Sequence, residues 1–137
     1  KTGYIIMDVP SVKVDIAPGE LIDKITILAI KSERIEELKK LRHVNVELKV
    51  LTTIRDQVLP LSETLNNLTI KLKEVNERLW IIEDDIRSCE AAKDFGPNFI
   101  ELARSVYHEN DERARLKREI NTLLGSSIVE EKSYKPY

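Results

Sequence analysis

The stretch LSETLNNLTIKLKEVNERLWIIEDDIRSCEA, residues 61–91, decides the fold. Within it Leu65, Leu68, Leu72, Val75, Leu79, Ile82, Ile86 and Cys89 follow one another at steps of three and four without a break. Only a helix returns side chains to one face at that spacing, so the stretch predicts a rod of roughly 45 Å with one apolar seam for a partner helix. Ile70 and Ile81 lie off the seam and add apolar surface beyond what one partner covers.

Downstream, Lys93-Asp94-Phe95-Gly96-Pro97 reads as a turn, with glycine stopping one helix and proline opening the next. A fourth helix follows, carrying Phe99, Leu102, Val106, Leu116, Ile120 and Leu123 at helical spacing, and Gly125 closes it. Two long helices joined this tightly run antiparallel. The seam of the fourth helix is interrupted by Glu109 and Arg113, the most informative anomaly in the chain.

Upstream, Val44, Leu48, Leu51, Ile54 and Val58 predict a second helix that Pro60 ends near Leu59. Before it, Pro18-Gly19-Glu20 opens a first helix whose Leu21, Ile22, Ile25, Ile27, Leu28 and Ile30 are apolar on almost every side, which marks it as central. Tyr4-Ile5-Ile6-Met7 is β-branched, and Val12 to Ile16 alternates like a half-buried strand. The expected fold is therefore all-α: one domain, residues 1–137, forming an antiparallel bundle of three or four helices in which two long helices make a hairpin. Helices are placed at about 18–42, 43–59, 61–91 and 97–124. A short N-terminal strand at 12–16 is expected to pair with the 125–137 tail around Ile128.

Composition limits function. The chain has 137 residues, 42% hydrophobic and 5% aromatic, and its 24 acids nearly balance 22 Lys and Arg for a net charge of -2. Such a chain is not held to nucleic acid or an anionic membrane by its overall field. The local basic groups, Lys39, Lys40, Arg42 and Lys49, then Arg113, Arg115, Lys117 and Arg118, are interleaved with acids as on a solvated face. No run is long and apolar enough to span a bilayer, and no signal-peptide pattern is present. A single cysteine, Cys89, cannot form an internal disulfide, so a reducing cytoplasmic setting is expected.

Catalytic and metal motifs are sparse. A di-metal bundle needs Glu-x-x-His pairs, and neither His43 nor His108 has a Glu three residues before it. Glu20-x-x-Asp23 and Glu33-x-x-Glu36 stand in the reverse of the order a helical nucleotide pyrophosphatase uses to hold magnesium. Four glycines scattered at Gly3, Gly19, Gly96 and Gly125 build no phosphate loop. Cys89 falls on the apolar seam as a small hydrophobe, and His108 on an exposed flank. No metal site and no cofactor is expected.

One polar constellation emerges from folding the third helix back on the fourth about Phe95. Asn110 then faces Trp80, Tyr107 faces Glu83, Arg104 faces Ile86 and Arg87, and Arg113 approaches Glu77. Asn76, Glu77, Trp80, Glu83, Arg104, Tyr107, Asn110 and Arg113 line one side of the hairpin, either as a network that fixes register or as a pocket for a polar or anionic small molecule.

These residues also carry a resemblance. Pro18-Gly19-Glu20-Leu21-Ile22-Asp23-Lys24-Ile25-Thr26-Ile27-Leu28, Val75-Asn76-Glu77-Arg78-Leu79-Trp80 and Asp94-Phe95-Gly96-Pro97 with Phe99 to Tyr107 resemble a family of small bacterial and viral proteins known as a domain of unknown function. So do Asn110-Asp111-Glu112-Arg113 and Ile128-Val129-Glu130-Glu131-Lys132-Ser133-Tyr134. The resemblance implies a stand-alone helical domain and no particular activity. A weaker similarity is to helical chorismate mutases, which place Arg, Lys and Glu inside long-helix bundles at a spacing not reproduced here.

Two functions follow as expectations. The leading one is a non-catalytic helical interaction module that self-associates, with a dimer favoured. The other is a small-molecule enzyme or binding protein that recognises a polar or anionic metabolite between the third and fourth helices.

Overall fold

The computed structural model describes residues 10–137. Four helices build it: α1 (Pro18–Arg34), α2 (Leu38–Val58), α3 (Glu63–Ala91) and α4 (Pro97–Leu123). The fold is all-α, with no strand among the described residues. Residues 12–16 form no regular secondary structure, with Val12 and Val14 in solvent. The expected pairing with Ile128 is absent, and alternation without a partner ladder does not make a strand. Tyr4 to Met7 lie outside the described residues.

Helices α3 and α4 form the hairpin. Ser62 caps α3, its hydroxyl accepting from Leu65 N–H at 3.1 Å. The α3 end is a Schellman motif: Asp94 N–H reaches Cys89 C=O at 2.9 Å and Lys93 N–H reaches Glu90 C=O at 3.1 Å. The left-handed position is occupied by Lys93, at φ 53°, whereas Gly96 has an ordinary φ and caps α4. Asp94 holds the turn by accepting Gly96 N–H at 3.1 Å. At the far end of α4 the same motif recurs with Gly125 at φ 63°.

The core lies where α1 meets the hairpin, with Ile22 of α1 among Leu65, Leu68, Leu72 and Val75 of α3 and Leu116 and Ile120 of α4. Helix α1 contacts all three other helices; α2 packs on α1 alone. That explains why α1 is apolar on nearly every side while Val44 is the only buried residue of α2. Helix α1 ends at Arg34, not near residue 42. Ile35 and Glu37 are extended, and α2 begins at Leu38, not residue 43. Neither glycine nor proline marks this break; the short link lets α2 fold back onto the face of α1 that the hairpin leaves open.

The N-terminus of α1 comes very close to α4. Gly19 N–H donates to Asn121 Oδ1 at 2.7 Å, and a Cβ on Gly19 would lie 2.4 Å from the Lys117 carbonyl oxygen. Glycine is required there by contact, not by backbone conformation.

Candidate functional site

Asp23 is the polar centre of the molecule. It sits one residue after the core's Ile22, is 1% exposed, and is reached from both helices of the hairpin. From α4, Arg113 clamps it with two parallel bonds, Nε to Oδ1 at 2.9 Å and Nη2 to Oδ2 at 2.5 Å. From α3, buried Asn76 donates through Nδ2 to Asp23 Oδ1 at 2.9 Å and to Thr26 Oγ1 at 3.0 Å. Thr26 in turn donates to the Asp23 carbonyl at 2.8 Å. The bond to Asp23 raises the Arg113 pKa, outweighing the burial that would lower it.

A second ion cluster lies one turn away. Lys117 Nζ donates to Glu20 at 2.7 Å and meets Glu130 of the tail at 2.9 Å. Burial pulls the Lys117 ammonium down, yet its bonds to Glu20 and Glu130 leave its pKa above the ordinary value.

Two open concavities flank this polar spine. One, a cleft of about 490 Å³ between α1, α3 and α4, is lined by Ile27, Asn76, Leu79, Trp80, Glu83, Asp84, Arg87, Asn110 and Arg113, among others. The other is a groove of about 950 Å³ between α4 and the tail. Arg113 and Asn110 line both. Among the described residues no three His, Cys, Asp or Glu side chains gather as a metal site would require, and no helix is long and apolar enough to cross a membrane.

Of the eight residues expected to share one surface, Asn76, Trp80, Glu83, Asn110 and Arg113 line the first cleft. Tyr107 lines the groove instead, its ring packed at a tilt against Tyr137 with centroids 5.0 Å apart. Glu77 and Arg104 line neither: Glu77 lies 3.8 Å from Lys73, and exposed Arg104 lies 3.6 Å from Glu101. Glu77, expected near Arg113, is not its partner, and neither is Glu109 one turn before it. Glu109 binds Arg78 at 3.0 Å, and Arg113 turns to α1. The hairpin of α3 and α4 is crossed by α1, and α1 supplies the carboxylate. The sequence signal for Asp23 is an acid set between Ile22 and Ile25 in the apolar first half of α1, with Thr26 three residues on.

A family pattern described as "Family of unknown function (DUF6165)" matches residues 12–137. The chain belongs to DUF6165. No curated protein and no solved structure matches it. The DUF6165 match runs through all four helices and the tail, so it takes in Asp23, Asn76, Arg113, Lys117 and Glu130 together.

Proposed function

We propose that this DUF6165 domain is a non-catalytic helical interaction module that self-associates through the outer face of α2. The carrying observation is the exposure of apolar side chains on a helix that touches only α1. Val46 is 66% and Val50 52% exposed, and Leu38, Ile54 and Val58 are open beside them. Contiguous apolar surface of this kind is what monomeric proteins avoid and interfaces use. The off-seam residues Ile70 and Ile81 are exposed singly on α3, so the surplus apolar surface is greater on α2.

The charge on α2 sets how the association behaves. Its five Lys and Arg exceed Glu47 and Asp56 by three, so two α2 faces brought together repel electrostatically and attract through their valines. Association through α2 therefore tightens, or at least persists, as salt is raised. Sedimentation equilibrium at micromolar concentration is expected to give twice the 15.8 kDa protomer mass, and Val46→Glu with Val50→Glu to give a monomer. A wild-type monomer at all salt concentrations overturns this reading.

The Arg113 geometry favours a second reading, a site for a polar metabolite in the first cleft. Asp23 fixes Nε and Nη2, leaving Nη1 outside the ion pair on a side chain that is 31% exposed and lines the cleft with Trp80 and Asn110. Trp80 is the only tryptophan, so its fluorescence reports occupancy directly. A metabolite screen that leaves Trp80 emission and the melting temperature unchanged counts against it.

A further inference from the structure

Beyond Gly125 the chain turns back along α4 and is tied down at two points. Glu130 meets Lys117 at 2.9 Å, and the Tyr137 hydroxyl donates to Asp111 at 2.5 Å. Between these ties residues 131–136 arch over the α4 face that carries Tyr107, Asp111, Ala114 and Arg118. The spacing of four, three and four puts those side chains on one stripe, and Ala114 in its middle keeps the floor low. The resulting groove, about 950 Å³, is of the size that small-molecule sites occupy.

Its chemistry differs from that of the surrounding surface. Arg113, Arg118, Lys132 and Lys135 line it, against Asp111 as the one carboxylate. Asp23 already neutralises Arg113, and Asp111 is engaged by Tyr137. Arg118, Lys132 and Lys135 have no carboxylate within ion-pair distance among the described residues, whereas neighbouring Arg115 and Lys117 each have two. Two net positive charges therefore remain. The walls are aromatic: the Tyr107 and Tyr137 rings pack with centroids 5.0 Å apart at a tilt of 55°, and Tyr134 stands beneath the Lys132 ammonium at 5.7 Å. The bond to Asp111 raises the Tyr137 pKa and keeps its phenol in the donating, neutral form.

Surface lysines alone would mean little. Here three uncompensated cations converge on a concave floor beside three tyrosine rings, an arrangement that suits a dianionic head and a flat, stackable body. We propose that the groove between α4 and the C-terminal tail binds a small phosphate monoester bearing a flat ring, with Arg118, Lys132 and Lys135 on the phosphate and the tyrosines on the ring. This site is separate from the α2 face and meets the Trp80 cleft only at Asn110 and Arg113.

The test uses the full chain and three probes titrated calorimetrically: 1-naphthyl phosphate, 1-naphthol and inorganic phosphate. 1-Naphthyl phosphate is expected to bind with a submillimolar Kd, the other two at least about tenfold more weakly, and all phosphate binding to weaken as salt is raised. Arg118→Ala with Lys132→Ala, both at exposed positions, is expected to raise the Kd at least about tenfold with an unchanged melting temperature. Tyr134→Ala is expected to weaken 1-naphthyl phosphate severalfold and to leave inorganic phosphate unaffected. Absence of 1-naphthyl phosphate binding up to about 5 mM overturns the proposal, as does binding that the Arg118 and Lys132 substitutions do not change.

Discussion

Arg113→Ala strands the Asp23 carboxylate at the junction of three helices. Breaking a buried pair by removing one partner costs about 3 to 5 kcal/mol, because the remaining charge has lost its compensation without regaining water. Two details set the value at the lower end. Asn76 still donates to Asp23, and the Arg113 side chain, 31% exposed, leaves a path by which water reaches the carboxylate. The expected loss is about 3 kcal/mol. Asp23→Ala should cost less, about 2 kcal/mol, since the freed guanidinium can turn to solvent while Asn76 loses one acceptor and keeps Thr26 Oγ1 as the other. Replacing both residues by leucine should restore stability to near that of the wild type, as well-packed hydrophobes often do in place of a buried ion pair. Urea denaturation of the three variants beside the wild type measures each loss. A loss below about 1 kcal/mol for Arg113→Ala, the value of a surface pair, would refute the reasoning, as would a double leucine variant no more stable than Arg113→Ala.

Gly19→Ala places a methyl against the rigid Lys117 carbonyl and should destabilise by about 2 to 3 kcal/mol, read from the same urea midpoints. Lys93→Gly removes the strain of a side chain in the left-handed region and should stabilise by about 1 kcal/mol. Because the Lys117 pKa is raised in the folded state, the stability it contributes is complete below its ordinary value near about 10.4 and is lost as pH climbs through the folded one. Melting temperatures of the wild type should therefore fall above about pH 10.5 more steeply than those of Lys117→Met.

The hairpin was readable because its determinants are local. Leu65 to Cys89 repeat at helical spacing, Pro97 opens α4, and Gly125 ends it. The α1–α2 break was not readable, since Ile35-Glu36-Glu37 contains no residue that opposes a helix and the reversal depends on α2 finding the open face of α1. The strand expected at Val12 to Ile16 failed for the complementary reason: its pattern was right locally and its partner does not exist among the described residues. Trp80 and Asn110 share a cleft, as antiparallel folding requires, but the partner of Arg113 lies ninety residues earlier on α1, beyond the reach of hairpin geometry. The tail groove was invisible because its cations come from two segments that only the Lys117–Glu130 and Tyr137–Asp111 contacts bring together.

Helix α2 has a single neighbour, and this shapes how the domain breathes. Helices α1, α3 and α4 share a core and a buried polar junction, so their central amides exchange with solvent only when most of the fold opens. Among the helices of one protomer α2 contacts α1 alone, so in the free protomer it can lift away while the other three stay assembled. In a hydrogen-exchange experiment on the monomeric Val46→Glu, Val50→Glu variant it forms a separate, less protected unit. Its departure uncovers apolar surface of α1, which pulls α2 back quickly and leaves the opened form prone to aggregation.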